Sequence, residues 1–147
     1  MKGKEAWLVA SYEIHMLEEL LQGRHLRKVI LNAITESIVL HARQLCEIFL
    51  SRSTEADNIK LVHLVPKIDQ SERLKKLINE LDKSYGSRKE EGSACWVFNK
   101  MLLHPTTERL DGYNYEPALK AVVPILEKIV HEIESARSQE FDRQIRA

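Results

Sequence analysis

Between residues 24 and 52, apolar side chains recur every three or four positions, at Val29, Ile30, Ala33, Ile34, Ile38, Leu45, Ile48 and Phe49. That period belongs to one face of an α-helix. A helix of this length is a rod whose apolar stripe the rest of the chain has to cover, so it is expected to be the central element of the fold. Three polar residues, Glu36, His41 and Arg43, lie within or beside the stripe, and any chemistry is expected close to them.

The composition fits that expectation. Hydrophobic residues make up 44% and charged residues 30% of the 147, with five glycines and four prolines, which favours long helices joined by few turns in one domain spanning 1–147. The core is expected within about 5–134, followed by a polar tail. Twenty-two basic and 22 acidic residues give a formal charge of zero, so no global field draws the chain to nucleic acid or to a membrane. No apolar run approaches the ~18 residues needed to cross a bilayer, and the N-terminus lacks a continuous apolar signal core. Cys46 and Cys95 are two isolated thiols, expected to be reduced and buried, which favours the cytoplasm.

Taken in order, residues 5–22 form an amphipathic helix through Trp7, Ile14, Leu17 and Leu21, with Gly23 as its C-terminal cap. The joint to the central helix is short, so the two are neighbours. Residues 53–58 read as a polar loop, and residues 59–65 as an apolar connector packed on the helices, limited by Pro66. Asp69 or Ser71 caps a helix buried through Leu74, Leu77, Ile78 and Leu81, ending near Tyr85 and Gly86. Residues 87–92 are charged and turn-like, the best candidate for a mobile loop and the expected first site of proteolysis. Ser93 opens a shorter helix that stops near His104, before Pro105. Residues 105–115 form a second loop, Glu116-Pro117 suits the first turn of a closing helix, and Pro124 is expected to kink it.

Two stretches carry a family likeness: Ser37-Ile-Val-Leu-His41-Ala-Arg43-Gln-Leu-Cys-Glu-Ile-Phe49, and Phe98-Asn99-Lys100-Met-Leu-Leu-His104-Pro-Thr-Thr-Glu-Arg109. Together with the order of elements, they resemble the HEPN-like helical domains of prokaryotes. The resemblance implies a helical domain that pairs as a homodimer. It also implies a motif of Arg, a polar residue, a short spacer and His, which active members use to cut RNA without metal, often in stress or defence systems. In this chain Asn99 matches the polar position and His104 the histidine, while Phe98 stands where the family has Arg. Lys100, Arg109 or Arg43 would then have to supply the phosphate contact that a bidentate guanidinium gives.

Each candidate also has a plain structural role. His104 suits acid–base work at neutral pH, and equally the C-terminal end of a helix, where it can bond the last carbonyls. His41 falls on the buried stripe as a core histidine. Arg43, seven residues after Glu36 and four before Glu47, suits an ion-paired row on one helix face. His15 with Glu18, and His131 with Glu134, share helix faces but read as solvated surface, and no metal or other cofactor is assigned. Basic clusters at Arg24, His25, Arg27 and Lys28, and at Arg73, Lys75 and Lys76, also read as solvated surface.

The expected fold is all-α: a single-domain bundle of about five helices around the long central one. Two functions remain open. One is metal-independent RNA cleavage or RNA binding, with His104 and Asn99 catalytic and Arg109, Arg43 and Lys100 holding phosphate. The other is a non-catalytic helical module that binds a protein partner or a nucleotide.

Overall fold

In the computed structural model the central stretch forms α1, Lys28–Leu50, a helix of 23 residues. The structure describes residues 7, 10, 11, 14, 15, 17, 18, 28–55, 58–65, 71–103 and 114–146. The expectations for Gly23, for Arg24, His25 and Arg27, for Pro66 and Asp69, and for residues 104–113 fall outside them. α1 buries Ile38, Val39, Ala42, Leu45, Cys46, Ile48 and Phe49, a stripe at helical spacing, whereas Ala33, expected on that stripe, is exposed. Leu40, on the other side of the helix, is also exposed.

Among the described residues four further helices follow: α2 (Leu61–Leu64), α3 (Glu72–Tyr85), α4 (Ala94–Leu103) and α5 (Glu116–Arg146). No strand occurs among the described residues, so the chain is an all-α bundle. The described residues between 7 and 18 are helical too, with Ala10 and Leu17 buried and the Arg137 guanidinium of α5 4.8 Å from the Trp7 ring centre.

Local chemistry sets the boundaries. Ser51 takes a left-handed conformation (φ 52°), turning the chain away from α1, and its hydroxyl accepts from the Leu61 N–H at 3.2 Å, so α2 is tied to that turn. The apolar connector thus contains one helical turn, buried through Leu61 and Leu64. Ser71 caps α3, its hydroxyl accepting from the Leu74 N–H at 3.2 Å, and Ser93 does the same for the Trp96 N–H at 3.1 Å at the start of α4.

Gly86 ends α3 at φ 69°, a conformation that favours glycine, and a Cβ there would stand 2.6 Å from the Ser93 Cβ. The close approach comes from a compact turn. Within it the Ser93 hydroxyl donates to the Ser87 carbonyl (2.8 Å), and the Glu90 and Ser93 N–H groups donate to the Ser87 and Glu90 carbonyls. The charged segment 87–92 is therefore a pinned turn between α3 and α4.

α5 is 31 residues long, about 46 Å at 1.5 Å per residue. It runs on through Pro124 as one continuous helix. Proline removes the bond to the Lys120 carbonyl, and both residues lie on the exposed side, where water can satisfy that oxygen. The polar tail continues the helix to Arg146.

α1 touches α3, α4 and α5, and the most extensive contact among the five helices is that of α3 with α5. Leu74, Leu77 and Leu81 of α3 and Val122, Ile125, Leu126, Ile129 and Ile133 of α5 belong to one buried cluster with the stripe of α1. This packing places the C-terminal end of α1 beside the end of α3 and the start of α4.

Candidate functional site

At that meeting point the bundle opens into a polar cleft of about 620 Å³. Arg43, Gln44, Glu47 and Arg52 line it from α1 and its end, Ser53, Thr54, Glu55 and Asn58 from the following loop, Arg88 from the pinned turn and Cys95 from α4. Three guanidinium groups and two carboxylates thus share one solvent-filled space.

The wall behind Arg43 is formed by Asn99. The Arg43 Nε–H donates to the Asn99 Oδ1 at 3.2 Å, and the Asn99 amide nitrogen donates to the Cys95 carbonyl one turn earlier at 2.7 Å. A guanidinium can only donate, so the amide oxygen must face Arg43 and the amide nitrogen its own helix. Asn99 is thereby locked at both ends and orients Arg43. The bond uses the Nε–H and does not consume the terminal amino groups, which carry the fork that grips a phosphate.

Arg52 is tied into the fold. It donates to the Gly86 carbonyl (2.6 Å) and to Asp82 (2.7 Å), approaches the Cys95 sulfur (3.9 Å), and lies 5.1 Å from the centre of the Tyr85 ring. A cation at the carboxyl end of α3 also meets the negative end of the helix dipole. Burial is the largest single influence and works against its charge, but the hydrogen bond to Asp82 and the charge of that carboxylate act together in the other direction, and the net effect raises its pKa. Arg52 is a brace for the cleft floor.

Glu47 faces Arg52 across this network. Its Oε1 accepts the Tyr85 hydroxyl at 3.1 Å and lies 4.0 Å from the Arg88 guanidinium. Tyr85 is fully buried, and burial, reinforced by the nearby Glu47 carboxylate, pushes its pKa far up, so it stays a neutral donor. Burial likewise raises the pKa of the Cys46 thiol well above 9.0 and keeps it inert.

The residues singled out from the sequence are distributed unevenly. Arg43 and Asn99 are joined. The ionic row expected for Arg43 with Glu36 and Glu47 gives way to the bond with Asn99, because Glu47 serves Tyr85. Lys100 does not line the cleft, and its ammonium sits 4.3 Å from the centre of the Trp96 ring. Phe98 is fully buried against Tyr85, ring centres 6.1 Å apart, so the position that matches the family's Arg faces the core. His104 and Arg109 lie outside the described residues. His41 is half-buried and engaged in a contact, and His15, Glu18, His131 and Glu134 are exposed. Among the described residues no cluster of three or more His, Cys, Asp or Glu has the geometry to hold a metal ion, and no helix is long and apolar enough to cross a membrane.

Arg52, Arg88 and Tyr85 were not among the sequence candidates, and Glu47 entered only as an ionic partner of Arg43. A signal existed for Tyr85, which extends the stripe of Leu74, Leu77 and Leu81 by four residues. For the others, residue type and spacing offer none, because their roles depend on contacts 30 or more residues away in sequence. Comparison with protein-family models, with curated proteins and with solved structures returned no match.

Proposed function

We propose that the chain is a HEPN-like helical protein that binds RNA in this cleft. The observation that carries the proposal is Arg43, oriented by Asn99, on the wall of a cleft that also holds Arg52 and Arg88. Arg43 and Arg88 grip the phosphate backbone through their terminal amino groups, and Arg52 contributes positive field from its brace. On this reading the protein acts in the cytoplasm as a homodimer in a stress or defence system, and His104 supplies acid–base chemistry for metal-independent cleavage, with Arg109 as a further phosphate contact. Asn99 positions Arg43 rather than touching the reacting atoms.

The test uses a mixed RNA pool with purified protein in excess chelator. Binding is expected to weaken steeply with salt, and His104→Ala is expected to abolish cleavage with the helical circular dichroism unchanged. RNA neither retained nor cut by the folded protein would overturn the proposal.

A second reading is favoured by Phe98. Its burial leaves the family's Arg position without a cation, so the developing charge of a cleavage intermediate lacks its usual stabiliser. The chain would then be a non-catalytic module holding a nucleotide or a protein partner in the same cleft. That version predicts binding without turnover, and His104→Ala without effect.

A further inference from the structure

The cleft carries carboxylates beside its guanidinium groups. Glu47 and Glu55 repel a purely anionic ligand, and Arg43, Arg52 and Arg88 repel a purely cationic one. A ligand that suits both joins a phosphate to an edge of N–H donors. Nucleotides have that construction, and among the four bases of RNA guanine alone presents two adjacent donors, N1–H and the N2 amino group. A carboxylate, with two oxygens and about four acceptor sites, matches such an edge with two parallel hydrogen bonds.

Glu47 is the better placed of the two acids. Glu55 is exposed on the loop, with its Oε2 held by Asn58 at 3.3 Å. Glu47 stands on α1 with its side chain 18% exposed, and Tyr85 and Arg88 both meet it at Oε1. The Tyr85 hydroxyl fixes its rotamer from the core side. The partner on the cleft side, Arg88, is 4.0 Å away and 64% exposed, a weak pair that a ligand displaces at small cost. Arg43 lies one helical turn before Glu47 on the same face, so a base held by Glu47 brings its phosphate within reach of the Arg43 fork.

We infer that the cleft is selective for guanine, Glu47 accepting from its N1–H and N2 amino groups while Arg43 and Arg88 hold the adjoining phosphate. This inference rests on the RNA-binding reading above and adds the base that the cleft prefers. The volume of about 620 Å³ is within the range that takes a nucleotide.

The experiment measures fluorescence anisotropy of labelled RNA heptamers in chelator: six uridines with a central guanine, adenine, inosine or uridine. A pair of bonds to a charged acceptor predicts a preference for guanine over adenine of about 10- to 100-fold. Inosine, which keeps N1–H and lacks the amino group, is expected to fall between them. Glu47→Gln retains a carbonyl oxygen for Tyr85 and replaces the second acceptor with a donor, so it should bring guanine down to the level of adenine. Equal binding of all four heptamers by the wild-type protein, still lost in Arg43→Ala, would overturn guanine selectivity and leave RNA binding standing. No binding of any heptamer would overturn both. The inosine series on the unaltered protein decides the matter even if Glu47→Gln fails to fold.

Discussion

The α3–α5 seam and the cleft at the end of α1 are held together by different physics. Along the seam, Leu74, Leu77 and Leu81 lie in one apolar cluster with Val122, Ile125, Ile129 and Ile133, and the ion pair Arg73–Glu132 stands at its edge at 2.9 Å, with the arginine 74% exposed. At the cleft, Arg52 serves Asp82, Gly86 and Tyr85 together, and Glu47 receives the Tyr85 hydroxyl. Apolar burial needs only matching shapes. A cleft that admits water and keeps charged groups ready for a ligand has to hold each polar side chain by named partners, so that the site is formed before the ligand arrives.

The largest effect is expected at the seam. Leu81 is fully buried, and Leu81→Ala should cost about 2–5 kcal/mol, read as a lower midpoint in urea, with RNA affinity measured below the transition unchanged. A loss of affinity in the folded mutant would mean that the two regions are coupled.

Arg52→Ala should cost less, about 1–2 kcal/mol, because it strips the Gly86 carbonyl of its donor, whereas Asp82 is 60% exposed and can turn to water. Unlike Leu81→Ala, it should also weaken RNA binding by loosening the floor under Cys95 and Tyr85. Arg52→Lys is expected to restore little of either, since an ammonium cannot span Gly86 and Asp82 with one planar fork. Full recovery in the lysine variant would reduce the brace to a simple charge.

Much of the fold was legible in the sequence. The helix period, Ser71 and Ser93 as caps and Gly86 as a stop are local signals, and local hydrogen bonds realise them. One exception is instructive: Ala33 carries too small a side chain to report which face it occupies. Residues 87–92, by contrast, read as charged and turn-like, and backbone bonds spanning three residues close that turn.

The site was half legible. Arg43 and Asn99 could be chosen from their motifs, yet their bond spans 56 residues, and no helical spacing relates them. Glu47 looked like the partner of Arg43 because it lies four residues on, and a buried tyrosine hydroxyl in need of an acceptor takes it instead. Such a preference becomes visible only once α1 and α3 are packed.

On the proposed reading Arg43, in the cleft, carries the RNA contact. The direct measurement is RNA affinity at fixed salt for Arg43→Ala beside Arg73→Ala. Both remove one positive charge, so any global electrostatic effect is the same, and Arg73, at the exposed edge of the seam, should alter stability by less than about 0.5 kcal/mol. A loss of about tenfold or more is expected for Arg43→Ala, and near wild-type affinity for Arg73→Ala. Equal losses in both variants, or none in either, would contradict that reading.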